Sequence, residues 1–161
     1  MRSEYVAKAA RKYIVIAILF LFISLLIFLA LYGPHFLEFK KLEINRAKWA
    51  SQNITHYRFD LELICYCPYT FATIEVQDGQ IVSMVNSNGT ALTQGSSEFV
   101  VFQNVGTVEN LFDRIQKKLV EAYVTIPTYD SKYGFPTSIR FDQLGLHSDI
   151  TYTITNFEVL P

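Results

Sequence analysis

Excess positive charge is the first thing this sequence lacks. Lys and Arg number 14 against 15 Asp and Glu in 161 residues, for a net charge of −1. Nucleic-acid binding needs a basic face that displaces counterions from phosphates, so nucleic acid is excluded as a partner. Histidine is scarce: His35, His56 and His147 are the only three, and none has a second histidine at metal-ligand spacing. There is no G-x-S-x-G, no phosphate-binding loop and no G-x-G-x-x-G. The sequence therefore points to no enzyme, no resident cofactor and no metal. Turn acids such as Asp130, Asp142 and Asp149 are read as local hydrogen-bonding groups rather than as a hydrolytic pair.

What the chain does have is one long apolar run. Residues 14–32 read IVIAILFLFISLLIFLALY, without a charge and with Ser24 as the only aliphatic hydroxyl. As a helix this run would measure roughly 28 Å, close to the hydrocarbon thickness of a bilayer. It is too long for an ordinary signal-peptide core, and Leu29-Ala30-Leu31-Tyr32-Gly33 offers no A-x-A-like cleavage site. No cysteine follows closely enough for a lipoprotein anchor. The expectation is an uncleaved signal anchor, a transmembrane helix over 14–32.

The preceding tail, 1–13, carries Arg2, Lys8, Arg11 and Lys12 against Glu4, a net +3 that leaves −4 for the remainder. Arg11 and Lys12 abut the run, which places the tail in the cytoplasm by the positive-inside rule. Lys40, Lys41, Arg46 and Lys48 compete from the other side but lie farther away. The expected protein is thus single-pass, located in the cell membrane with its C-terminal domain extracytoplasmic. Gly33-Pro34 is expected to close the membrane helix. Residues 33–52 form a juxtamembrane helix or linker in which Phe39, Leu42, Arg46 and Trp49 recur at helical spacing. Its aromatics Phe36, Phe39 and Trp49 suit either docking on the domain or the lipid headgroup layer.

Residues 53–161 read as an α+β domain, a small antiparallel sheet with one main packed helix. Tyr57 to Cys67 alternates apolar with charged, as a half-buried strand does. Phe71–Gln77 and Gln80–Asn86 flank Asp78-Gly79, a hairpin dipeptide, with Ile74 and Val76 sharing a face with Ile81 and Val85. Residues 90–97 read as a loop before a short apolar piece, Phe99–Phe102. Thr107 suits an N-cap for a helix burying Val108, Leu111, Phe112, Ile115, Leu119 and Ala122. Three more strands are expected at 124–130, 137–142 and 150–159. Short turns between runs of strands make the sheet antiparallel.

Two candidate sites stand out. Cys65 and Cys67 are a candidate disulfide or thiol pair: both continue the apolar stripe of their strand, which favours a structural role over redox or soft-metal chemistry. Cα atoms two apart on an ideal strand lie near the long limit for a disulfide, so bonding would need a local irregularity. Tyr129, Tyr133 and Phe135 are a candidate interaction patch, although a clamp on their own hairpin around Gly134 and Pro136 is the favoured reading. Asn53-Ile54-Thr55 and Asn88-Gly89-Thr90 match the glycosylation pattern, too short a signal to weigh alone.

A set of elements resembles a bacterial domain family of unknown function. They are Trp49, Tyr57-Arg58-Phe59, Cys65-Tyr66-Cys67-Pro68, Asp78-Gly79, Thr107-Val108-Glu109-Asn110-Leu111-Phe112 and Tyr129-Asp130-x-x-Tyr133-Gly134-Phe135-Pro136-Thr137-Ser138-Ile139. The resemblance runs from Trp49 to Phe157 and implies a small exported or membrane-tethered domain, without an activity to carry over. With the membrane as one partner, the remaining expectation is a non-enzymatic interaction module for a protein or cell-envelope component. The alternative is a thiol redox or metal-handling protein using Cys65 and Cys67.

Overall fold

The computed structural model describes the backbone of residues 2–65, 70–121, 124–142 and 150–161, and their side chains except at 2–12, 15, 17, 30–32, 34 and 124. The chain divides into two units, residues 1–37 and 38–161. A single helix, α1, runs from Arg2 to Ser51. The helix break expected at Gly33-Pro34 is absent. Proline's fixed φ is itself helical, so the helix accommodates it at the cost of one ladder bond and a ring contact, about 3 kcal/mol.

Among the described residues no helix is long and apolar enough to cross a membrane. This overturns the transmembrane helix expected at 14–32, and with it the signal anchor, the single-pass membrane-anchored protein and the cell-membrane localisation with an extracytoplasmic domain. The apolar run is not set apart as an element of membrane length: α1 continues without a break on both sides of it, from Arg2 to Ser51.

The second unit is built on one six-stranded antiparallel sheet. Its strands are β1 (His56–Ile64), β2 (Thr70–Gln77), β3 (Gln80–Asn86), β4 (Val124–Tyr129), β5 (Pro136–Asp142) and β6 (Ile150–Val159). Their order is β3-β2-β1-β6-β5-β4, two three-stranded meanders joined where the first strand pairs with the last. Between the meanders the chain forms α2 (Ser97–Phe102) and α3 (Val108–Val120).

Local chemistry explains these boundaries. Asp78 and Gly79 both take positive φ, 50° and 74°, as the tight turn between β2 and β3 demands. Ser96 caps α2 by accepting from Phe99 N–H at 3.2 Å, which turns the expected loop and apolar piece into a short helix that buries Phe102. Thr107 caps α3 by accepting from Asn110 N–H at 3.1 Å. Glu109 lies in its first turn and Lys117 and Lys118 in its last, as the helix dipole favours.

One expected register is corrected. Val76 pairs with Ile81, but Glu75 pairs with Ser83, so Val82 is an extra residue in β3. A single inserted residue moves every later side chain to the other face. Met84 therefore enters the core opposite Ile74, and Val85 turns away opposite Thr73.

The helices cover one face of the sheet. Phe59, Leu61 and Leu63 of β1 and Ile74 and Val76 of β2 share one core with Leu111, Phe112 and Ile115 of α3. Leu42 and Trp49, from the C-terminal turns of α1, close it at one end. Gly106, just before α3, has no room for a side chain: a Cβ there would lie 2.7 Å from Ile81 Cδ1 and 2.9 Å from the Phe102 carbonyl oxygen. The opposite face is polar, held by pairs such as Arg58–Glu158 at 2.6 Å and Thr73–Asp60 at 2.6 Å.

Candidate functional site

A concavity lies where the end of α1, the 53–55 connection and the start of α3 meet. It encloses ≈ 370 Å³. Trp49, Ile54 and Phe112 supply its apolar wall. Arg46, Asn53, Thr55, Glu109 and Asp113 supply its polar rim. Asn53 ends α1 in a left-handed conformation, φ 51°, which asparagine tolerates better than most residues and which turns the chain toward β1.

Each wall residue is held from behind. The Trp49 ring meets Tyr57 edge-on at 5.3 Å between centroids, and Phe157 at 5.8 Å. Its indole Nε1–H donates to Glu109 Oε1 at 2.8 Å. Tyr57 O–H donates to the other Glu109 oxygen at 3.1 Å and its oxygen accepts from Val108 N–H at 3.1 Å. Burial pushes the Tyr57 phenol far above its ordinary range, and the Glu109 charge adds to that rise. The tyrosine therefore stays a neutral donor that fixes Glu109 and the first turn of α3.

Phe112 packs against two partners. Arg46 places its guanidinium 5.5 Å from the ring centroid, and the Tyr129 ring stacks at 6.3 Å. The same guanidinium donates to Asp113 at 2.5 Å and to Gln116 at 2.8 Å. The result is an apolar slot edged by two carboxylates and one guanidinium, with the aromatic rings and the first turn of α3 held in place.

The sequence-expected sites lie elsewhere. Cys65, just past β1, packs against the core and is disulfide-bonded. Cys67, the only other cysteine, lies outside the described residues, as does Pro68. Phe135 is buried and stacks on Phe157 at 4.3 Å, while Tyr133 is half-buried at 5.5 Å from Phe157. Tyr129 is half-buried against Phe112, so it backs the cleft wall. Asp130 gathers this hairpin turn by accepting from the N–H groups of Lys132 and Tyr133 at 2.9 and 2.6 Å.

His56 lies at the sheet margin between the Pro161 carbonyl oxygen, 2.8 Å from Nδ1, and Glu75, 2.9 Å from Nε2. Both neighbours are acceptors, so the imidazolium is favoured and its pKa is raised, chiefly by the Glu75 hydrogen bond. His147 lies outside the described residues. Among the described residues no three His, Cys, Asp or Glu are grouped to hold a metal ion. A second depression of ≈ 250 Å³ runs along α3 past Arg114, Lys117 and Lys118. Lys118 is tied to Glu121 at 2.8 Å, and the pairing holds the Glu121 carboxyl below its ordinary range.

The Trp49–Glu109 pair is what sequence reasoning missed. Trp49 was legible as a helix residue suited either to docking or to a headgroup layer and Glu109 as a favourable first-turn acid, but 60 positions separate them and no local pattern links them.

The geometry can be set beside known proteins. A family model of unknown function matches residues 41–159, which takes in every residue lining the cleft. The chain belongs to this family, DUF6174. No curated protein matches the chain. In this DUF6174 member the matched segment begins near the end of α1 and closes with β6, so the cleft is built wholly from the family's own domain.

Proposed function

We propose that this domain is a non-enzymatic binding module whose ligand seats in the cleft between the end of α1 and the start of α3. The observation that carries the reading is the cleft itself: ≈ 370 Å³, apolar at its base and polar at its rim. Ligand sites are commonly concavities of a few hundred Å³ with mainly apolar walls and a few placed polar groups. The wall is also prepared in advance, since Trp49, Tyr57 and Glu109 lock one another and Arg46 is fixed on Phe112 and Asp113. Pre-ordered side chains lose little freedom when a ligand arrives. The partner is a protein that presents a small group to this cleft.

Trp49 is the only tryptophan, so its indole N–H gives a single, assignable NMR signal. Amide and indole spectra recorded with a fragment library should show shifts concentrated on Arg46, Trp49, Asn53 to Thr55 and Glu109 to Asp113. Shifts confined to the polar face of the sheet, or none at all, would overturn the reading.

A further inference from the structure

We infer that the cleft selects an organic cation, an ammonium or guanidinium group on an apolar stem such as the end of a lysine or arginine side chain. This rests on the binding-module reading above and adds the ligand's charge and shape.

The argument begins with how the rim charges are satisfied. Asp113 is paired with Arg46 at 2.5 Å. Glu109 accepts one hydrogen bond on each oxygen, and both donors are neutral: the Trp49 indole at 2.8 Å and the Tyr57 hydroxyl at 3.1 Å. Among the described residues no ion pair is formed by Glu109. A carboxylate offers about four lone-pair positions, so about half its accepting capacity is left. Glu109 is exposed at the cleft rim rather than sealed behind it. The rim therefore carries two carboxylates against one guanidinium, and the surplus negative charge sits on Glu109.

The wall beneath suits the same ligand. Ala50 and Ile54 give an accessible apolar track beside Glu109, while the buried Phe112 ring behind them already holds one guanidinium, that of Arg46, 5.5 Å from its ring centre. A cation on an aliphatic stem would place its charge at Glu109, gaining a charge-assisted hydrogen bond, and its stem along that track. An anion of equal length would meet the Glu109 charge. A neutral alcohol would keep the stem contacts but lose the ionic part of the bond.

Hexylamine, hexanol and hexanoate share a stem and differ in head-group charge, and Trp49 emission reads their binding. Titrations of the full chain at neutral pH should rank hexylamine tightest, about two- to five-fold above hexanol, with hexanoate weakest. Raising the salt concentration should weaken hexylamine and leave hexanol unchanged, because an exposed ion pair is screened. Glu109→Gln should abolish the preference and Glu109→Asp should retain part of it. The wild-type ranking stands as a test even if a variant fails to fold. Equal binding of all three ligands would overturn the cation inference while leaving the binding-module reading in place. No change in Trp49 emission and no heat of binding with any of them would overturn both.

Discussion

Tyr57→Phe isolates the hydrogen bonds that fasten the start of α3 to the sheet. The substitution keeps the ring, which stacks on Phe59 at 5.9 Å and meets Trp49 edge-on, so little packing is lost. It removes an oxygen that accepts from Val108 N–H and a proton that is donated to Glu109, both at 3.1 Å. Tyr57 and Val108 are each 1% exposed, so water cannot readily replace the missing oxygen at the Val108 N–H. A stranded buried donor costs about 1–3 kcal/mol and a bond to a charged group contributes about 1.5–3 kcal/mol. Glu109 is exposed and recovers part of its share from solvent, which puts the net cost at about 2–3 kcal/mol. Urea unfolding with an m-value of about 1.5 kcal/mol/M should show the midpoint falling by about 1.3–2 M with m unchanged. A double-mutant cycle with Glu109→Gln should show coupling of about 0.5 kcal/mol or more. A cost below about 0.5 kcal/mol, the scale of surface changes, would refute the claim that Tyr57 anchors this helix start.

Leu61→Ala, at a site fully buried between the sheet and α3, should cost about 2–5 kcal/mol in the same assay. Gly134→Ala forces φ +85° on a residue with a side chain and drives a Cβ to 2.8 Å from the Asn45 carbonyl oxygen, so unfolding should ease by at least about 1–3 kcal/mol, read by thermal melting. His56 has a folded pKa above its ordinary 6.5, so its stabilising contribution is full below that value and is lost as pH rises through the folded pKa. The stability difference between the wild type and His56→Gln should therefore shrink as pH is raised from the acid side, and a difference that grew would reverse the assigned contact.

Much of the sheet was legible because its signals are local. The alternation from Tyr57 to Leu63 marks β1, Asp78-Gly79 marks the turn after β2, and Thr107 followed by a 3.6-residue apolar period marks α3. What escaped depends on choices that local pattern leaves degenerate. Ile81-Val82 and Met84-Val85 are adjacent apolar pairs, so either member of each could face inward, and the bulge at Val82 decides which does. Gly33-Pro34 reads as a stop, because an interior proline costs a helix about 3 kcal/mol, yet α1 passes through it. The apolar run at 14–32 invited a membrane reading that the described helix does not sustain. The pairing of β1 with β6 and the meeting of Trp49 with Glu109 are tertiary facts, set by packing around residues far apart in the chain.

A crystal structure of the full chain with hexylamine bound tests the central claim most directly. The account predicts density for the amine between Trp49, Ile54 and Phe112, with its nitrogen within hydrogen-bonding distance of Glu109 and the Trp49–Glu109 bond retained. Density on the polar face of the sheet or along the lysines of α3, with this cleft unchanged, would contradict it.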